Sequence, residues 1–166
     1  MTKIVNVADQ VSKEAQVNRD QIEHRATWMG LIYDEMVKAG VADAEGIVRR
    51  AIARTGLMHG QKDKEVCADP SNCLDFKEAF LSDYGMETFG MVTTEDEEHL
   101  DITFHYCPLC AAWQKLGFDD ERCAVLCDMA MDGDRNIAKA MGLDIELTDK
   151  IADGCKTCHL TFRSRK

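Results

Sequence analysis

The sequence predicts a single α+β domain in which N-terminal helices pack on an antiparallel sheet of about four strands. Two observations carry this. Helical apolar stripes fill the first half and recur after residue 107. The strand candidates form one hairpin and two later segments, without the regular strand–helix–strand alternation that builds a parallel sheet. The 166 residues are enough for one core without staples.

Residues 1–11 read as a flexible N-terminal arm, and 12–166 as the domain. From Ser12 to Lys38, Val17, Ile22, Ala26, Met29, Ile32, Tyr33 and Met36 recur at helical spacing. Gly40 supplies a stop. A second helix starts at Asp43, with Ala44, Ile47, Val48, Ala51 and Ile52 on one face and Gly56 at its end. Arg49, Arg50 and Arg54 lie on its other side. Such a row is usually a solvated face; Arg54 is the candidate for holding a substrate carboxylate. Residues 60–74 read as loop, and Asp75 as the cap of a short helix containing Phe76, Ala79 and Phe80.

A hairpin follows. Residues 87–93 alternate, 94–98 form an acidic turn, and 99–106 alternate strictly, with Leu100, Ile102, Phe104 and Tyr106 on one face. Pro108 suits the first turn of a helix reaching about Leu116. Asp119 or Asp120 starts the next, which Gly133 breaks or bends before Met141. Residues 143–148 and 158–163 are the remaining strands.

Net charge is −10, from 30 acidic and 20 basic residues, which argues against nucleic acid and anionic membrane surfaces as partners. The opening residues lack an apolar secretory region, and no run approaches a membrane span. The expected location is cytoplasmic, where cysteines serve as free thiols, ligands or catalytic groups rather than as a disulfide framework. The long first helix is compatible with a homodimer.

Six of the eight cysteines fall in close pairs: Cys107–Cys110, Cys123–Cys127 and Cys155–Cys158. Cys107 stands where a strand passes into a helix. As the N-cap it would receive helix N-terminal amides, and its thiolate would be favoured. His105, two residues earlier, is a candidate base. Cys123 and Cys127 share a helix face with Leu126, Ala130 and Met131, so Cys123 reads as a small core residue.

Cys107, Cys110, Cys155 and Cys158 together make an alternative: a tetrathiolate zinc site or an iron–sulfur cluster. A thioredoxin-like role for CPLC is disfavoured because no proline follows Pro108. The CKTCH match to a haem attachment motif is poorly placed, leading straight into a strand. Asp132, Asp134 and Asn136 have calcium-loop spacing, but Ile137 stands where that loop needs glycine.

The stretch HYCPLCAAWQKLGFDDERCAVLCDMAMD followed by GCKTCHLTF resembles the L-2-amino-thiazoline-4-carboxylic acid hydrolase family. The matching features are Cys107-Pro108 after a strand, Leu116-Gly117, Cys127 with Asp128 or Asp132, and Gly154 to Cys158. Upstream, Gly56 and Gly60 match the family's helix ending in glycines. The resemblance covers roughly residues 28–163. The family's aspartate follows its helical cysteine by about three residues; here that position is Ala130, flanked by Asp128 and Asp132. Cys110, Cys123 and Cys155 go beyond the family's three cysteines.

The resemblance implies a hydrolase that opens a thiazoline ring, or a similar cyclic amidine, to an N-carbamoyl amino acid. It implies a small carboxylate-bearing substrate and no cofactor. Cys107, Cys127, Cys158, His105 and Asp128 are its candidate catalytic residues.

Overall fold

The computed structural model describes residues 2–166. Its helices are α1 (Lys13–Lys38), α2 (Ala44–Val66), α3 (Cys73–Phe80), α4 (Asp83–Phe89), α5 (Pro108–Lys115), α6 (Asp120–Ala130) and α7 (Asp132–Met141). The strands β1 (Met91–Glu95), β2 (His99–Phe104), β3 (Asp144–Asp149) and β4 (Cys158–Arg163) form one sheet in the order β1-β2-β4-β3, with every pairing antiparallel. The α+β architecture with four antiparallel strands is as the sequence predicts.

The alternation in β2 and β4 sets which sheet face is buried. Leu100 lies opposite Phe162 and Ile102 opposite Leu160, and all four are buried. Phe76, Ile137, Ala138 and Met141, from α3 and α7, cover this face. The other face carries Asp101, Thr103 and His159. A second core joins α1, α2, α5 and α6 around Trp113, Leu126 and Met129, with Ile151 and Ala152 from a 3-10 turn between β3 and β4. The Trp113 indole N–H donates to the Ala26 carbonyl at 3.0 Å. Gly30 lets the ring approach α1, since a Cβ there would sit 3.1 Å from both Trp113 and Phe118.

Several local expectations need correction. The second helix does not end at Gly56: α2 runs on to Val66, through much of the segment read as loop. Its glycines are contact points. A Cβ on Gly56 would lie 2.2 Å from the Gly133 carbonyl, and one on Gly60 2.8 Å from the Ala140 Cβ. The two glycines thus let α7 close on α2 at backbone distance, and a glycine read as a stop is here a seam. Gly133 does not break a helix either; the break falls two residues earlier, at Met131, between α6 and α7.

Residues 87–89 do not begin a strand. They close α4, which Ser82 caps and Gly90 ends at φ +58°. Thr88 donates its hydroxyl to the Tyr84 carbonyl at 2.6 Å, a bond made within a helix turn. Asn72, not Asp75, caps α3, accepting from the Leu74 N–H at 2.9 Å.

The N-terminal arm has no regular structure, yet it is pinned along its length. Ile4 is buried. The Lys3 N–H donates to Asp120 at 2.8 Å, and the Gln114 amide donates to the Ile4 carbonyl at 3.3 Å. The buried Arg19 donates to the Asp9 carbonyl and to the Thr88 carbonyl, each at 2.8 Å. A short strand-like pattern was absent from these residues, so nothing in their sequence announced this packing.

Candidate functional site

β2 ends at Phe104, and three residues later Cys107 caps α5 with Pro108 in its first turn. The Cys107 sulfur accepts from the Cys110 N–H at 3.5 Å. The backbone of Cys107 is fixed from outside. Its N–H donates to Asn6 Oδ1 at 2.9 Å, and Asn6 Nδ2 donates back to its carbonyl at 2.8 Å. One arm residue thus closes a two-bond ring around the cap.

Cys158 opens β4 directly opposite Phe104, which brings it to the strand end that leads to Cys107. Its sulfur accepts from the Ile151 N–H at 3.2 Å. Cys127 comes from the last turns of α6. All three pack against the α1/α2/α5/α6 core. They are near enough that charge on one would act on the others: Cys107 and Cys158 each disfavour ionisation of Cys127, and Cys158 that of Cys107. Three different elements therefore bring these thiols together.

Their ionisation departs from the expectation that the helix N-terminus would lower the Cys107 pKa. Burial pushes this thiol up to about 12, and the amides of Cys110 and Leu109 offset only part of that. Burial raises Cys127 and Cys158 as well. Desolvation of the thiolate outweighs two donors and one helix end, so the resting thiols are protonated. One cation bears on the group: Lys150, just before the 3-10 turn, favours the thiolates of both Cys127 and Cys158.

The other candidates are placed differently. His105 is exposed and turned to the first helix–strand junction, with Nδ1 2.9 Å from the Gly90 carbonyl. No hydrogen bond joins it to Cys107 among the described residues, and β2 has ended at Phe104, so strand alternation no longer sets its side-chain direction. Cys110 is buried and meets Cys123 thiol to thiol, a contact that with burial keeps the Cys110 proton in place. Cys155 sits in the turn before β4, its N–H donating to the Lys150 carbonyl at 3.1 Å.

The alternative ligand set Cys107, Cys110, Cys155 and Cys158 is therefore not assembled. Among the described residues no three His, Cys, Asp or Glu side chains gather as a metal site, and these residues do not fit zinc or an iron–sulfur cluster.

Asp128 is held in an ion-pair ring. Its carboxylate takes Arg49 at 2.7 Å and Arg135 at 2.8 Å, and the same two arginines reach Asp132 at 3.1 and 2.7 Å. Burial pushes the Asp128 carboxyl up, but the guanidinium groups prevail and hold it below the usual carboxylate range. A carboxylate so committed is a weak base. Arg54 is exposed on α2. It lies two residues from Gly56, about 200° around the helix from the seam with α7, so it faces away from α6 and α7.

Sequence reasoning missed Asn6, Arg49, Arg135 and Lys150. Asp128 and Arg135, with Lys150, line a cleft of about 130 Å³ whose other walls are Met131, Ile145 and Leu147. The Asp-Gly-Asp-Arg run weighed for calcium contains two members of the ion-pair ring, Asp132 and Arg135; three charges within four residues were the available signal.

Fold and site define a small α+β protein with half-buried thiols from three elements beside a charged cleft. The chain belongs to the L-2-amino-thiazoline-4-carboxylic acid hydrolase family, whose model matches residues 19–162. The family's name marks it as a hydrolase of a thiazoline carboxylic acid. Among solved structures, the chain is similar to a trafficking protein particle complex subunit 3 from Naegleria fowleri covalently bound to palmitic acid. The TM-score is 0.53 at 11% identity, covering 86% of this chain and 96% of that one. At that identity the likeness is one of fold alone. No curated protein matches the chain. Among the described residues no helix is long and apolar enough to cross a membrane.

Proposed function

We propose that this protein is a thiol-dependent hydrolase that opens a small carboxylate-bearing thiazoline, or a similar cyclic amidine, through Cys107. The observation that carries the reading is the meeting of Cys107, Cys127 and Cys158 from α5, α6 and β4, the three cysteines that the family resemblance selects.

The chemistry follows from a protonated, half-buried thiol. An amidine is itself a base, so the substrate's ring nitrogen takes the Cys107 proton as sulfur bonds to the carbon between nitrogen and sulfur. This removes the need for a histidine at the site and creates the thiolate only when its target is in place. The ring carbon–sulfur bond then breaks, and the departing sulfur leaves as a thiol after taking a proton. The product of this half-reaction is an isothiourea on Cys107.

Water adds to the same carbon and the Cys107 sulfur departs with a proton. The ring-opened substrate is left as an N-carbamoyl amino acid with a free thiol, so the net change is the addition of one water. Donors at the α5 N-terminus, the Cys110 N–H foremost, favour charge on Cys107 as it leaves. Cys127 and Cys158, which burial keeps protonated at rest and whose thiolates Lys150 would favour, pass protons between the departing sulfur and water.

The test is a thiol-release assay on 2-amino-thiazoline-4-carboxylate with the purified, reduced protein. One new thiol per ring opened, together with the N-carbamoyl product by mass spectrometry, is the expected outcome. A protein that consumes no substrate at stoichiometric concentration would end this reading.

A further inference from the structure

We propose that the cleft between α6, α7 and β3 anchors the substrate's carboxylate, with Arg135 and Lys150 as the two groups that grip it. This deepens the hydrolase reading and rests on it for the identity of the ligand, though the binding site stands on its own geometry.

Hydrogen-bond accounting singles out Arg135. Its Nη1 donates to Asp132 Oδ1 at 2.7 Å and to the Asp128 carbonyl at 3.0 Å, and its Nη2 donates to Asp128 Oδ1 at 2.8 Å. A guanidinium has five N–H groups. The Nε–H and one Nη2–H therefore have no protein partner among the described residues. Both unused N–H groups belong to Nε and Nη2, the two nitrogens whose shared edge takes the two oxygens of a carboxylate side by side. The ion-pair ring holds the plane still, so the free edge is already oriented.

Lys150 gives one N–H to Asp153 at 2.8 Å and has two more to offer. The charged groups lining the cleft are two cations and one anion, Arg135, Lys150 and Asp128. Asp132 and Asp153 pair with the same cations from outside the lining, so what the cleft offers an acid is the unused N–H groups of Arg135 and Lys150.

Size and walls narrow the ligand. About 130 Å³ is well below the roughly 300 Å³ at which pockets for drug-sized ligands begin. It suits a molecule of amino-acid dimensions. Met131, Ile145 and Leu147 provide apolar surface for a ring or thioether.

The cleft also adjoins the thiols. Asp128 follows Cys127 in the chain, and the Lys150 charge reaches both Cys127 and Cys158. A carboxylate held by Arg135 and Lys150 would place the attached ring toward the cysteine cluster. The carboxylate-binding role expected of Arg54 passes to these two residues.

Thiazolidine-4-carboxylate has the ring and the acid but no amidine to open, so it reports binding alone. Calorimetry on the intact chain should show it binding at least tenfold more tightly than its methyl ester. Lys150→Gln should weaken the acid about tenfold and leave the ester unchanged. Arg135→Lys keeps the positive charge in the ring but removes the planar edge, and should do the same. Thermal melts of both variants establish that they are folded. Equal affinity for acid and ester, no binding of the acid, or folded variants with unaltered affinity would overturn the anchor. If the acid binds as expected while the wild type opens no thiazoline ring, the hydrolase reading fails and the anchor stands.

Discussion

Cys107→Ser should lower the rate of ring opening by at least about a thousandfold, the order of loss seen when a covalent nucleophile is removed. The fold should survive. Serine is among the preferred N-cap residues, and its oxygen can accept the Cys110 N–H that the sulfur accepts now. Asn6 binds only the backbone of position 107 and keeps both of its bonds. The variant therefore separates chemistry from structure: activity collapses and the melting temperature hardly moves. Steady-state thiol release, measured beside a thermal melt, provides both readings. Cys67→Ser, in the connection after α2, is the control and should leave the rate unchanged.

Raising the pH above about 9 should strip stability from the folded protein. The sign follows from the thiols. Burial holds Cys107 up at about 12 in the native state, while in the unfolded chain a cysteine ionises near 8.5–9. Below pH 8.5 both states keep the proton and the full stability is present. Above it the unfolded chain loses protons that the native protein retains, so the unfolded state gains with each pH unit until the native thiol also ionises.

The slope is about 1.4 kcal/mol per unit for each such thiol. Cys107 alone removes about 2 kcal/mol by pH 10.5, and Cys127 and Cys158, raised by burial too, act in the same direction. Against a total of roughly 5–15 kcal/mol this is a large loss. Melts from pH 7.5 to 10.5 with reductant present should show a steep fall beginning near pH 9, flattened in part by Cys107→Ser. A melting temperature that stays level to pH 10.5 would mean that the thiols are not buried as described.

What the sequence disclosed, it disclosed through local pattern. The alternation of β2 and the Cys158–Arg163 strand were readable because one face of each is apolar and the period is two. The start of α6 was readable to within one residue, as Asp119 or Asp120, because capping is decided by one side chain and its next few residues; Asp119 is the cap. The gathering of Cys107, Cys127 and Cys158 was expected from the family resemblance, which selects these three; local pattern alone left Cys110 and Cys155 as rival partners of Cys107 and Cys158.

What was hidden depends on contacts between distant segments. Gly56 looks like a helix stop until α7 lies against it. Arg49 looks like a solvated residue until Asp128, 79 positions away, takes its guanidinium. Asn6 clasps Cys107 across 101 positions, and no spacing rule spans that distance. The lowered pKa expected for Cys107 failed for a related reason: the helix terminus is a local feature, while burial is set by everything packed around it. His105 had the right sequence distance, but its Nδ1 is engaged with the Gly90 carbonyl of the α4–β1 junction, 15 positions away.

The central claim is a covalent intermediate on Cys107, and it is tested most directly by trapping one. Reduced protein mixed with excess 2-amino-thiazoline-4-carboxylate, quenched in acid within the first turnovers and analysed by intact mass and peptide mapping, should carry one whole substrate mass on Cys107. That adduct should be absent from Cys107→Ser. Full turnover with no adduct at any time point, or an adduct seated on Cys127 or Cys158 with Cys107 unmodified, would contradict the account.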